Sequence, residues 1–199
     1  MIDTHAIFNI QSEQAFNELA LEVFNHQFNN NKVYRSFCDL LYVHPSEVKC
    51  VEDIPFLPIQ FFKTHQVISS SNPIQRTFSS SGTTGSITSS HFVTDLNIYE
   101  TSFTKGFEAF YGTPEDYVVL ALLPSYLERS TSSLVFMMDH FIKESGSELS
   151  GFYLNQYEAL VEALRQALAT DKKVWLMGVT FGLLDLVDSG IDLSFMKDH

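Results

Sequence analysis

The chain has 199 residues, the size of one domain or of one domain with an appendage. Hydrophobic residues make up 45% and charged residues 18%, enough apolar material for a core, so global disorder is excluded. The net charge is −12, and without a run of Lys or Arg a nucleic-acid partner would be repelled, although a local ATP site needs only a few donors.

Residues Met1-Ile2-Asp3-Thr4-His5 show no basic region leading into an apolar run, so no signal peptide is expected. No stretch of about 18 apolar residues is present, so no membrane span is expected. Cys38 and Cys50 fit neither a disulfide framework nor a zinc site, and the seven histidines lack ligand spacing. No metal-ligating residue is therefore named, both cysteines are expected to be ordinary buried thiols, and a reducing, cytoplasmic setting is expected. The 18 phenylalanines suit a thick core or a long apolar pocket.

Residues 1–70 read as a helical and irregular region. From Ser12, a capping residue, Phe16, Leu19, Ala20, Val23, Phe24 and Phe28 follow helical spacing, and Asn29-Asn30-Asn31 ends the run. A second helix is predicted through Val33, Phe37, Leu40 and Leu41, stopping before Pro45. In Ile54-Pro55-Phe56-Leu57-Pro58-Ile59-Gln60-Phe61-Phe62-Lys63 two prolines prevent a regular helix or central strand. That segment is expected to be irregular and pinned against a core.

Residues 71–199 alternate strand and helix. Strands are predicted at 74–78, around His91-Phe92-Val93, at 117–123, near Phe152-Tyr153 and at 174–179. Helices are predicted from Asp95, through 134–142, and behind Asn155, which forms a capping box with Glu158. Continuous apolar strands between amphipathic helices predict an α/β domain, a layered, mostly parallel sheet flanked by helices.

The segment most informative about chemistry is Phe78-Ser79-Ser80-Ser81-Gly82-Thr83-Thr84-Gly85-Ser86. Two glycines three apart allow successive N–H groups to converge on one concavity, a nest for phosphate oxygens, and the hydroxyls add donors. A donor facing a charged phosphate is worth roughly 1.5–3 kcal/mol, so four or five could hold a triphosphate tail. The order is not the Walker pattern, and no helix opens directly after the second glycine as the dinucleotide fingerprint requires. Composition alone is equally consistent with a linker of small polar residues; the flanking strands and the residue order favour phosphate.

Ser81-Gly82-Thr83-Thr84-Gly85 resembles the phosphate-binding signature of the adenylate-forming superfamily. Residues 54–65 and Leu122-Leu123-Pro124-Ser125-Tyr126-Leu127-Glu128-Arg129-Ser130 resemble segments of the Lux-type acyl-protein synthetases, also called long-chain-fatty-acid–luciferin-component ligases. The resemblance covers most of residues 50–190. It implies ATP-dependent activation of a fatty acid, or another apolar carboxylate, to an acyl-adenylate with Mg²⁺. The acyl group then passes to a protein thiol, such as that of an acyl reductase, or to coenzyme A. It assigns Ser80, Ser81, Gly82, Thr83, Thr84, Gly85 and Ser86 to ATP. Pro124, Ser125, Tyr126 and Arg129 are assigned to the substrate, with Gly178, Val179 and Phe181 in the region like the family's acyl pocket.

Two departures qualify the resemblance. Many superfamily members carry Lys shortly after the second glycine, where this chain has Ser86-Ile87-Thr88-Ser89-Ser90. Compensating charge would come from Mg²⁺ or from Lys63, Arg76 or Arg129. No Tyr-Gly-x-Thr-Glu segment stands before His199, so the sequence is expected to be a front piece with little turnover alone. An aryl-CoA ligase of the phenylacetate type and a non-catalytic, adenylation-like assembly module are the alternatives. His91 is expected to be merely hydrogen-bonded. Without a Gly-x-Ser-x-Gly elbow, serine hydrolase chemistry is excluded.

Overall fold

The computed structural model describes residues 2–80, 88–124, 130–154 and 156–197. Contacts divide the chain into two compact units, Met1–Ser102 and Phe103–His199.

In the first unit, α1 (Thr4–Ile7) starts from Asp3, whose carboxylate accepts the His5 N–H. Next come α2 (Glu13–Asn30) and α3 (Lys32–Leu40). Ser12 caps α2, its Oγ accepting the Ala15 N–H at 3.1 Å. Asn31 ends α2 and caps α3 in one residue. Its Oδ1 accepts from Tyr34 N and its Nδ2 donates to Gln27 Oε1, so this nearly buried amide is paired on both sides. Phe24 and Phe28 from α2 bury themselves with Tyr34, Cys38 and Val48.

The proline-rich segment is tied to this core at chosen points only. Ile54 and Leu57 pack against it, and the Tyr34 hydroxyl donates to Pro55 O at 2.8 Å. Phe56 and Ile59 are 72% and 76% exposed, so these two side chains of the segment stay largely open to water. The segment ends in the single turn α4 (Phe61–Thr64). Strands β1 (Arg76–Ser79) and β2 (Ser90–Val93) then pair antiparallel, from Arg76 opposite Val93 to Ser79 opposite Ser90. This hairpin is a sheet of its own among the described residues, because its strands pair with each other and not with the parallel sheet.

Helix α5 (Leu96–Tyr111) begins after Asp95, whose Oδ1 accepts the Asn97 N–H, and runs across the division between the units. The second unit continues with β3 (Tyr117–Leu122), α6 (Ser133–Glu144), β4 (Gly151–Phe152), α7 (Tyr157–Leu168), β5 (Lys173–Gly178) and α8 (Thr180–Asp188). The three strands form a parallel sheet in the order β4-β3-β5. The fold class is thus α/β, a parallel sheet flanked by helices. β3 is buried at every residue, as a central strand covered on both faces must be.

Alternation along β3 assigns the faces. Val118, Leu120 and Leu122 pack with Leu160 and Leu164 of α7 and Leu186 of α8. Tyr117, Val119 and Ala121 pack with Phe107 of α5 and Met138 and Phe141 of α6. β4 lies to one side of β3 and β5 to the other, and right-handed crossovers therefore put α6 and α7 on opposite faces. At the start of α7 the cap position belongs to Gln156, with no side-chain cap bond; Asn155 lies outside the described residues.

Candidate functional site

The two strands that flank the Ser/Thr/Gly segment are closed just before it by a serine clasp. Ser80 N donates to Ser89 O at 3.0 Å, and Ser89 N donates to Ser80 Oγ, also at 3.0 Å. Residues 81–87 connect the two sides of that clasp. Ser81, Gly82, Thr83, Thr84, Gly85 and Ser86 lie outside the described residues. Ser80 itself is exposed, and its main-chain N–H is already taken. Only its hydroxyl proton is left to offer a ligand. Sequence reasoning passes over Ser89, the other half of the clasp. The signal for it is the serine pair Ser89-Ser90 facing Ser79-Ser80 at matched positions.

Helix α4 packs beside β2, and the contact has an aromatic centre. The Phe62 and His91 rings lie parallel, with an interplanar angle of 5° and centroids 6.0 Å apart. His91 is therefore an exposed imidazole stacked on Phe62. Lys63, adjacent to Phe62, is exposed in the last turn of α4. The proline-rich segment, one of the segments that carried the resemblance, thus meets the hairpin that flanks another of them within one unit.

In the second unit the sheet order creates a switch point. From β3 the chain leaves towards α6 on one face; from β5 it leaves towards α8 on the other. Open α/β sheets bind ligands in the crevice that such a divergence opens at the carboxyl ends of the strands. Pro124, half-buried, follows β3 at that edge; Ser125, Tyr126 and Arg129 lie outside the described residues. Gly178 ends β5 opposite Leu122, and Val179 and Phe181 follow, 46% and 78% exposed.

Two glycines allow α8 to sit close to the end of β3. A Cβ on Gly178 would stand 3.0 Å from the Leu183 side chain and 3.3 Å from Leu122 Cβ. One on Gly182 would stand 3.4 Å from the Leu122 carbonyl oxygen. No side chain caps α8, so its first N–H groups contribute the positive end of the helix to this edge.

The cysteines behave differently from each other. Cys38 is buried, and burial pushes its thiol pKa up. Cys50 is exposed, contrary to the sequence expectation of a buried thiol, because the turn at 51–53 holds it at the surface. Its Sγ donates to Asp53 Oδ2 at 3.2 Å, and that carboxylate raises the thiol pKa. Neither is a prepared nucleophile. Among the described residues, no group of three His, Cys, Asp or Glu side chains is placed to hold a metal ion. No helix there is long and apolar enough to cross a membrane.

Residues 3–101 match the family described as acyl-protein synthetase, LuxE. Over that segment the chain is similar to the LuxE acyl-protein synthetases. The matched residues include the proline-rich segment, the serine clasp and the glycine-rich connection. The edge formed by β3 and β5 lies beyond the LuxE-matched residues. A relative from Photorhabdus luminescens, a long-chain-fatty-acid–luciferin-component ligase, is 33% identical over 76 residues. Those residues are 38% of this chain and 65% of the relative's length. No solved structure matches the chain.

Proposed function

We propose that the protein takes part in ATP-dependent activation of a carboxylic acid, a fatty acid, followed by acyl transfer to a thiol. The observation that carries this reading is the Ser80–Ser89 clasp around a Ser-Gly-Thr-Thr-Gly sequence, inside the LuxE-matched segment. A clasped hairpin fixes the two ends of a glycine-rich connection, and a fixed connection loses less entropy when it closes on phosphate oxygens. The name of the Photorhabdus relative supports a long-chain fatty acid as the substrate.

In this reading Ser80 supplies a hydroxyl, and residues 81–86 supply main-chain and hydroxyl donors to the β- and γ-phosphates. The donor set is neutral and hard, which suits phosphate oxygens; Mg²⁺, carried by the phosphates, would offset their charge. Lys63 on α4 and Arg76 on β1 are the cations of the same unit assigned to that task. The edge at Pro124 and at Gly178, Val179 and Phe181 is assigned to the acyl carboxylate, with Ser125, Tyr126 and Arg129 assigned to it from the sequence alone.

The chemistry is an in-line displacement. A carboxylate oxygen bonds to the α-phosphorus while the bond from that phosphorus to the bridging oxygen breaks, and pyrophosphate leaves with the electron pair. Donors around pyrophosphate stabilise the charge that develops on it. The acceptor sulfur, as thiolate, then adds to the acyl carbonyl, and AMP departs. The acceptor is a protein thiol, with coenzyme A as the alternative acceptor.

Calorimetry on the chain with Mg-ATP and with a non-hydrolysable acyl-adenylate, such as an acyl sulfamoyl adenosine, tests the reading. The adenylate mimic should bind about 100-fold or more tighter than ATP. Equal indifference to both would leave an assembly module as the better description. A benzoyl or phenylacetyl mimic that outcompetes the fatty-acyl one would move the assignment to an aryl-CoA ligase.

A further inference from the structure

Beside the core of the first unit lies an apolar hollow of about 410 Å³. One wall is a single face of α2: Phe16, Ala20, Val23, Phe24 and Gln27. From Phe16 to Gln27 that wall runs about 16 Å along the helix. The facing wall comes from the proline-rich segment, through Ile54, Phe56 and Leu57. Pro55 and Pro58 remove two N–H groups from that wall. The Tyr34 hydroxyl anchors it by its bond to Pro55 O, leaving an irregular surface that stands off α2.

The polar groups in the lining are almost all satisfied. Asn31 is paired with Gln27 and Tyr34, and the Tyr34 hydroxyl is spent on Pro55. Gln27 Oε1 is taken by Asn31, and its Nε2 has no acceptor among the described residues. The hollow therefore combines a long hydrocarbon-like surface with one amide donor. Large aromatic side chains border it while partly open to water, Phe16 at 47% exposure and Phe56 at 72%. They would lose that exposure against an apolar occupant. Water would find few partners in such a space. Its volume lies within the range of about 300–1,000 Å³ usual for ligand sites.

Phe62 joins the hollow to the hairpin. It is a wall residue and also the ring stacked on His91, two positions beyond the clasp residue Ser89. We infer that the hollow between α2 and the proline-rich segment is a binding site for the hydrocarbon chain of a long-chain acyl compound, with the Gln27 amide donating to an oxygen on it. This rests on the adenylation reading for the identity of the chain as acyl; the binding itself needs no nucleotide. It is a different place from the edge at Gly178, in the other unit.

The test is titration of the chain with cis-parinaric acid, a polyene fatty acid whose fluorescence rises in an apolar site, without ATP. Saturable binding of one probe per chain is expected. Tetradecanoic acid and its methyl ester should both displace the probe, and hexanoic acid at least about 100-fold less well, since it lacks eight methylenes. Ala20→Trp, which fills the hollow, should weaken binding at least about tenfold with the thermal midpoint retained. Phe16→Glu, at a half-exposed position that folding tolerates, should do the same by placing a charge at the rim. Gln27→Glu keeps an acceptor for Asn31 but removes the donor, and should weaken both, the acid more than the ester because two carboxylates then repel.

Absence of saturable binding, unchanged affinity in folded Ala20→Trp or Phe16→Glu, or equal displacement by hexanoic acid would overturn the inference. Its failure is separable from that of the proposed function. Tight adenylate-mimic binding in a chain that shows no saturable parinarate binding sinks the hollow alone. Parinarate binding lost in those variants, in a chain that ignores ATP and the mimic, sinks the adenylation reading alone.

Discussion

Leu122 and Gly178 face each other at the carboxyl ends of β3 and β5, and a Cβ on Gly178 would come within 3.3 Å of Leu122 Cβ. The Leu183 side chain would be closer still, at 3.0 Å. The glycine thus sets how near α8 can approach the strand end, which links packing in the core to the shape of the candidate acyl edge.

Gly178→Val should destabilise the protein by about 1–3 kcal/mol, since Leu183 must move and Leu122 is fixed on a buried strand. Gly106, inside α5, has nothing within 4 Å of the place a Cβ would take, and Gly106→Ala should stabilise by about 0.5–1 kcal/mol through helix propensity. Urea midpoints of the two variants give the comparison; opposite signs are expected.

Ser150 is a stand-in for a missing strand partner. β4 pairs with β3 only at Leu120 and Ala121, and the fully buried Val119 donates its N–H to Ser150 Oγ at 2.9 Å instead. Ser150 Oγ in turn donates to Ser145 Oγ at 2.8 Å, since the Ser145 proton is taken by Ile142 O. Ser150→Ala leaves the Val119 N–H without an acceptor in the interior and should cost about 1–3 kcal/mol. Chemical denaturation measures the loss, and faster amide exchange at Val119 should accompany it.

The Cys50–Asp53 pair makes two pH-dependent expectations. Asp53 accepts hydrogen bonds from Lys49 N, Cys50 Sγ and Cys50 N, which hold its carboxyl below the usual range. A depressed carboxylate contributes stability that is fully present above its unfolded value, about 3.9, and lost as pH falls towards the folded value. Asp53→Ala should therefore flatten the acid branch of the stability curve below about pH 4. The thiol shifts the other way: held protonated by Asp53, then Glu52, it presents less thiolate near pH 8 than a free cysteine. Iodoacetamide should label Cys50 slowly, and faster in Asp53→Ala, while Cys38 reacts only on unfolding.

The sequence foretold elements wherever local chemistry and burial agree. Ser12 announces α2 because its hydroxyl fits the first turn, and residues 117–122 announce a central strand because both faces must be apolar. Exposure was harder to foresee. Phe56 and Ile59 are as apolar as Ile54 and Leu57, yet only the latter pair reaches the core, since the prolines decide which side chains turn inward. Cys50 stands at the surface for a comparable reason, the tight turn at 51–53.

The candidate site was legible as motifs and not as an arrangement. Glycine spacing marked residues 82 and 85, but the Ser80–Ser89 clasp depends on antiparallel register, which the sequence does not state. The hollow beside α2 went unread for a related reason. Periodicity shows that Phe16, Ala20, Val23 and Phe24 share a face; it does not show that the opposing wall stands off and leaves that face partly unfilled.

The central claim is that the Ser/Thr/Gly connection grips the polyphosphate of ATP. Its most direct test is the Mg-ATP affinity of Gly82→Val and Gly85→Val, measured by calorimetry beside the parent chain, with thermal midpoints recorded. Loss of one or two donors to a charged phosphate should lower affinity by about 10- to 100-fold at unchanged midpoint. Parent-like affinity in both folded variants would contradict the account.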